Sequence, residues 1–169
     1  VRFVALVRGI NVGGANKLPM ADLRALVARL GCRDVETVGA SGNVVLTASA
    51  PAADVNDALE AAISQRLRKP IGVVLRSRPQ WARIVEADPF PAKPADDVRL
   101  AVTFLRHATD APLPPVAGID VVRRTPTELF TVWRLARGRP PAFTRHEKAL
   151  GVASTTRFWT VVRQLAEVL

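Results

Sequence analysis

The amino-acid sequence predicts an α+β fold made of two βαββαβ-type halves, the second degenerate and carrying an added C-terminal helix. Three observations predict it. Apolar segments of strand and helix length follow one another through residues 1–75 in the order strand, helix, strand, strand, helix, strand. The two middle strands are separated by Ala40-Ser41-Gly42-Asn43, a tight-turn composition. After Pro79 a weakened version of the same order returns. This order is that of a ferredoxin-like unit, and the sequence places the boundary near Arg78, giving residues 1–78 and 79–169 packed into one body.

In the first half, Val1 to Val7 is apolar on both faces, the pattern of a central strand covered on both sides. Met20, Leu23, Leu26, Val27 and Leu30 then recur at helical spacing, with Asp22, Arg24 and Arg29 between them; Pro19 opens this helix and Gly31 stops it. Val35 to Val38 and Val44 to Thr47 flank the turn and read as a hairpin. Val55, Leu59, Ala62, Ile63 and Leu67 define a second helix closed by Lys69-Pro70, and Ile71 to Leu75 is the last strand.

The second half opens with Pro79 at the first position of a helix that buries Trp81, Ile84 and Val85. Asp88 to Asp97 holds three prolines and is a loop, and Leu100, Val102 and Phe104 alternate along a strand. The proline-rich Asp110 to Gly118 can hold at most a poor helix. Ile119 to Arg124 and Leu129 to Leu135 form a hairpin around Pro126-Thr127, and Phe143 to Leu150 is a short helix. Ser154 or Thr155 is expected to cap the final helix, with Phe158, Val162, Leu165 and Leu169 on its inner face and Trp159 beside them.

Arg8 to Lys17, RGINVGGANK, is the stretch around which a site is expected. It holds three glycines, two asparagines and two cations in one strand-to-helix connection. If the first strand runs upward, this loop, the Ser41 to Asn43 turn and the Arg66 to Pro70 connection all meet at the upper end of the sheet. Arg8, Asn11, Gly13, Gly14, Asn16, Lys17, Ser41 and Asn43 are therefore the candidate ligand-binding residues. Arg8, Lys17 and the N–H groups of Gly13 and Gly14 suit an anion, such as a phosphorylated or nucleotide-like small molecule, with Asn11 and Asn43 as orienting amides. The glycines read equally well as a strained turn, and the composition around Ser41 and Asn43 suits turn formers better than ligands. Neither the G-x-G-x-x-G spacing nor that of a P-loop is present, no general base is identifiable, and no cofactor is expected.

Composition sets outer limits. With 169 residues, 49% of them hydrophobic, the chain can bury a sizeable core. The formal charge of +9, mostly arginine, permits an anionic partner. Cys32 is the sole cysteine, so no intrachain disulfide forms and a reducing compartment is expected. Arg8 and the glycines interrupt the only apolar start, and no run approaches the roughly 20 apolar residues of a membrane span. A cytoplasmic protein without membrane contact is the expectation.

The segments RGINVGGANKLPMADLRALVARLG, ASGNVV and EKALGVASTTRFWTVVRQL resemble the bacterial family catalogued as domain of unknown function 1697, over nearly the whole chain. The resemblance implies a two-part α+β fold of ferredoxin-like character and no established activity. Where that family shows an asparagine–tryptophan–asparagine run, this chain has Phe158-Trp159-Thr160, so no role of those amides carries over.

Other chemistry is set aside on spacing. His107 and His146 stand alone, and no metal site is expected. Asp34, Glu36, Asp96 and Asp97 fall at turns and strand edges, where solvation is the expectation, and Trp81, Trp133 and Trp159 fall on apolar faces that suit core packing. An alternative reading is sequence-tolerant nucleic-acid binding through Arg68, Lys69, Arg134, Arg137, Arg139, Arg145 and Arg157. It rests on the last 47 residues, which hold nine cations against three acids. The third strand offers Val44, Val45 and Leu46 and no aromatic ring, which excludes base stacking on the sheet and leaves phosphate contact as the main term.

Overall fold

The computed structural model describes residues 1–169. Strand β1 (Arg2–Val7) lies inside a four-stranded antiparallel sheet, pairing with β3 (Asn43–Thr47) on one side and β4 (Val73–Ser77) on the other. Outside β3 lies β2 (Arg33–Val38), so the sheet order is β2-β3-β1-β4. Helix α1 (Met20–Arg29) connects β1 to β2, and α2 (Ala52–Leu67) connects β3 to β4. Alternation explains the layering: Phe3, Ala5 and Val7 share one core with Leu23, Leu26 and Val27 of α1 and Val55, Leu59 and Ile63 of α2. Val4 and Leu6, on the other face, are completely buried too, as the two-faced apolar run requires.

The β2–β3 turn is fixed by packing as well as by backbone. Gly42 has φ +79°, and a Cβ there would lie 2.8 Å from both Val7 Cβ and Ile10 Cδ1. Its carbonyl accepts a 2.8 Å hydrogen bond from the Val7 N–H. At the other end of the hairpin the register shifts between Arg33 and Glu36, where Asp34 adopts φ +51°. Arg2 closes over this bulge, donating to the Asp34 carbonyl at 3.0 Å and to Glu36 Oε1 at 2.9 Å.

Helix α3 (Arg78–Ala87) follows β4 directly and buries Trp81 and Ile84. The second sheet, also four-stranded and antiparallel, comprises β5 (Val98–Leu105), β6 (Ile119–Arg124), β7 (Glu128–Arg134) and β8 (Ser154–Phe158) in the order β6-β7-β5-β8. Taking β5 as its first strand, this is the connectivity pattern of the first sheet. The β5–β6 connection has no helix, because Pro112, Pro114 and Pro115 withhold main-chain donors. Side chains staple it instead. Arg124 donates to the carbonyls of Ala111 and Thr109 at 2.7 and 3.0 Å, and His146 of α4 (Thr144–Leu150) meets the Pro114 carbonyl through Nε2 at 2.8 Å. One face of this sheet forms a core of Ala101, Val116, Ile119, Leu129, Trp133 and Phe143. Phe90 packs against Phe130 and Trp159, with ring centroids 5.9 and 5.1 Å away.

The chain end corrects the sequence reading. Ser154 and Thr155 do not cap the last helix; they open β8, and α5 (Trp159–Val168) begins only afterwards. Thr155 and Thr156 are β-branched, β8 pairs with β5 along five residues, and the Thr156 and Thr103 hydroxyls meet at 2.8 Å. The shift exchanges the roles of two aromatics, leaving Phe158 43% exposed and Trp159 only 7% exposed. The chain divides into two compact units, Val1–Glu86 with Arg163–Leu169, and Ala87–Val162. No helix is long and apolar enough to cross a membrane.

The turn geometry separates two glycines with similar φ. Gly42→Ala is expected to cost about 2–4 kcal/mol, from left-handed strain plus displacement of Val7 and Ile10, against about 1–2 kcal/mol for Gly39→Ala, which meets nothing within 4 Å. Urea denaturation of both variants measures the difference, and equal costs would contradict the packing role of Gly42.

Candidate functional site

At the end of the first sheet where β1 leaves, three connections come together: residues 8–19, 39–42 and 68–72. Their union is visible in main-chain bonds. Val7 N–H donates to the Gly42 carbonyl at 2.8 Å, and Arg8 N–H donates to the Gly72 carbonyl at 2.9 Å. The Asn11 side chain completes the junction. Its Nδ2 donates to the carbonyls of Leu18 and Ala40, both at 2.8 Å, and its Oδ1 accepts the Leu18 N–H at 2.8 Å. One carboxamide thus joins the first residue pair of the loop's hairpin, the approach to α1 and the β2–β3 turn.

The glycine loop is a miniature hairpin. Asn11 N–H donates to the Asn16 carbonyl and Ala15 N–H to the Val12 carbonyl, each at 3.2 Å, around Gly13 (φ +60°) and Gly14 (φ +78°). Two successive positive φ values belong to the mirror-image turn that matches strand twist, which is why both positions are glycine. An anion nest is formed by residues of alternating hand, and this pair has one hand only. The turn reading of the glycines is the one the geometry favours.

The asparagines are engaged locally. Asn16 (φ +52°) donates through Nδ2 to the Gly9 carbonyl at 2.8 Å. Asn43, 1% exposed, donates to the Val38 carbonyl at 2.9 Å and to Ser41 Oγ at 3.3 Å. Together with Asn11, these side chains hold main-chain groups in place, so their amides act as staples for the loop end.

The charged groups face outward. Arg8, Lys17, Arg68 and Lys69 are all exposed, and the three connections that carry them contain no aspartate or glutamate. The opposite connections, residues 30–32 and 48–51, carry no charge at all. Arg68 is the left-handed C-cap of α2 (φ +55°), so part of its charge and that of Lys69 offsets the negative helix end. Lys17 precedes the start of α1, where Pro19 supplies no side-chain cap to the first amides. Two acids of the neighbouring helices reach this end: Glu60 Oε1 of α2 accepts the Val73 N–H at 2.8 Å, next to the Gly72 carbonyl, and Asp22 of α1 is paired with Arg66 at 3.3 Å, with both side chains half exposed.

The nucleic-acid candidates divide between the two units. Arg68 and Lys69 belong to the first; Arg134, Arg137, Arg139, Arg145 and Arg157 belong to the second. Arg157 corrects the sequence reading, for it is 9% exposed and donates to Thr155 Oγ1 at 2.7 Å and the Thr156 carbonyl at 2.8 Å. Desolvation pulls its pKa down to about 10, the signature of a guanidinium held away from water. Arg134 is exposed but paired with Asp120 Oδ2 at 2.6 Å. Arg137 and Arg139 project from the tight turn closed by the Ala136–Arg139 bridge, and Arg145 is exposed on α4.

Cys32 is buried, and burial pushes its thiol pKa up, away from the reactive thiolate. No three His, Cys, Asp or Glu side chains gather as a metal cluster would. The groups that sequence reasoning passed over are main-chain ones, the carbonyls of Ala40 and Gly72, which have no side-chain signature. The absence of acids from all three connections was legible in the sequence as a second signal.

A family model described as a protein of unknown function, DUF1697, matches residues 1–129. No curated protein matches the chain. Among solved structures, the conserved bacterial protein SP0830 from Streptococcus pneumoniae is similar at 22% identity and a TM-score of 0.67, covering 99% of this chain and 97% of its own. At that identity the likeness speaks for the fold.

The Asn11 junction predicts a graded series. Asn11→Gly loses three side-chain hydrogen bonds and is expected to cost about 2–3 kcal/mol. Asn11→Ala is expected to cost about 1 kcal/mol more, because alanine is strained at positive φ. Denaturant melts and amide exchange at Leu18 measure both; a neutral Asn11→Gly would show that the junction holds without this side chain.

Proposed function

The chain belongs to the DUF1697 family, whose model covers residues 1–129, and from that premise we propose that the loop end of the first sheet binds a phosphorylated or nucleotide-like ligand. One observation carries this reading: Arg8, Lys17, Arg68 and Lys69 stand on three hydrogen-bonded connections that hold no acidic residue. The Asn11, Asn16 and Asn43 staples hold the backbone that carries Arg8 and Lys17, so little loop freedom is lost there on meeting a phosphate. The uncapped first turn of α1 adds partial positive charge beside Lys17. Arg8 and Lys17 are the principal contacts in this reading, because they bracket the glycine loop itself. The strand order β4-β1-β3-β2 with helices in both crossovers supports a ferredoxin-like description of this unit.

Nucleic acid is the second reading, favoured by the exposed turn that presents Arg137 and Arg139. It is the weaker of the two, because Arg157 is buried and Arg134 is already paired.

The test is a thermal-shift titration with nucleoside triphosphates, sugar phosphates and inorganic tripolyphosphate, repeated at rising salt. Saturable stabilisation by a phosphorylated compound is expected, lost in the Arg8→Ala/Lys17→Ala double variant. Silence at about 10 mM ligand in low salt, weaker than any physiologically useful affinity, overturns the proposal. Labelled single- and double-stranded DNA and RNA form a separate arm. If Arg137 and Arg139 reach phosphates, reversing both flattens the slope of log affinity against log salt by roughly 1.5–2, and an unchanged slope removes that turn from consideration.

A further inference from the structure

The second unit holds a cleft separate from that loop end. An open surface cleft of about 560 Å³ is bounded by Ala108, Thr109, Asp110, Arg124, Thr125 and Pro126. It lies where β5 leaves the sheet and where the β6–β7 turn approaches, and the Thr109 N–H joins the two walls by donating to the Pro126 carbonyl at 3.0 Å.

The polar groups of this cavity are of opposite charge and differently held. Arg124 is half-buried and clamped through Nη1 and Nη2 to the carbonyls of Ala111 and Thr109. These two bonds leave further guanidinium N–H donors, and no carboxylate pairs with it. Thr109 Oγ1 accepts from the Ala111 N–H at 3.2 Å and keeps its own proton to give. Thr125 is spent on its own turn: its hydroxyl donates to Glu128 Oε2 at 2.6 Å and accepts the Glu128 N–H at 2.8 Å. Asp110, between the two residues whose carbonyls hold Arg124, makes no hydrogen bond or ion pair within the protein. Ala108 and Pro126 supply the apolar part of the wall.

We infer that this cavity binds a small zwitterion of the amino-acid type, its carboxylate on Arg124 and the Thr109 hydroxyl and its ammonium on Asp110. A preorganised arginine without an acid partner fits a carboxylate, and an unpaired carboxylate on the same cavity excludes a ligand that carries negative charge alone. Arg124, bonded to the carbonyls of Ala111 and Thr109, holds the β5–β6 connection that forms one wall of this space.

Isothermal titration and amide chemical-shift mapping of the full chain test the inference with L-phenylalanine and L-leucine as probes, alongside phenethylamine, which lacks the carboxylate, and hydrocinnamate, which lacks the amine. The expected result is saturable binding at about millimolar Kd or tighter, with shifts at residues 108–111 and 124–126 and each half-probe at least about tenfold weaker, the equivalent of one lost charged contact. Asp110→Asn, which breaks no internal bond, is expected to leave the melting temperature unchanged and weaken L-phenylalanine about fivefold or more, while narrowing its advantage over hydrocinnamate. Absence of saturation by either amino acid, shifts confined to other residues, or hydrocinnamate binding as well as L-phenylalanine would each overturn it.

Discussion

The first unit depends on one carboxamide. Asn11 adopts φ +56°, a conformation its short polar side chain tolerates, and from there reaches two main-chain segments that the sequence separates. It bonds both the N–H and the carbonyl of Leu18, imitating a strand partner, and also the Ala40 carbonyl across the sheet end. Leu18 can then be fully buried with both its N–H and its carbonyl paired. The position of α1, the contact of Ile10 with Gly42 and the outward aim of the hairpin tip all follow from that junction.

The two units solve the same strand order with different connections. In the first, a helix fills the β1–β2 crossover and buries Leu23, Leu26 and Val27 against the sheet. In the second, prolines withhold the helix and the crossover is stitched side chain to main chain by Arg124 and His146. The Pro114 carbonyl can only accept, so the proton of His146 is assigned to Nε2, and Nδ1 is left buried without a partner. Stitching of this kind holds a loop in place while leaving a polar atom short of a partner.

Charge acts here through position more than through total. The net +9 contains guanidiniums with distinct fates: Arg157 desolvated in a strand, Arg134 and Arg66 paired with acids, Arg124 clamped to carbonyls, and Arg8 exposed on a connection whose own sequence holds no acid. Exposed pairs such as Arg66–Asp22 contribute at most about 1 kcal/mol, so they inform on where charge is cancelled and little on stability.

Hydrophobic periodicity by itself determined the element order of the first unit, its covered central strand and the meeting of three connections at one sheet end. Those features follow from strand alternation and helical spacing, which are local properties of sequence. The end of the chain was misread for the same reason: Ser-Thr-Thr before an apolar helical pattern is also a capping composition, and only the free edge of β5 decides that Ser154–Phe158 pairs as a strand. That pairing turns Phe158 outward and Arg157 and Trp159 inward. The roles of Asn11, Asn16 and Asn43 were likewise decided in three dimensions, since an amide at a turn suits a ligand or a carbonyl equally well until the distance to Ala40, Gly9 or Val38 is known. Tertiary structure alone identified the Arg124 cavity, because its walls come from segments about 15 residues apart that no sequence period connects.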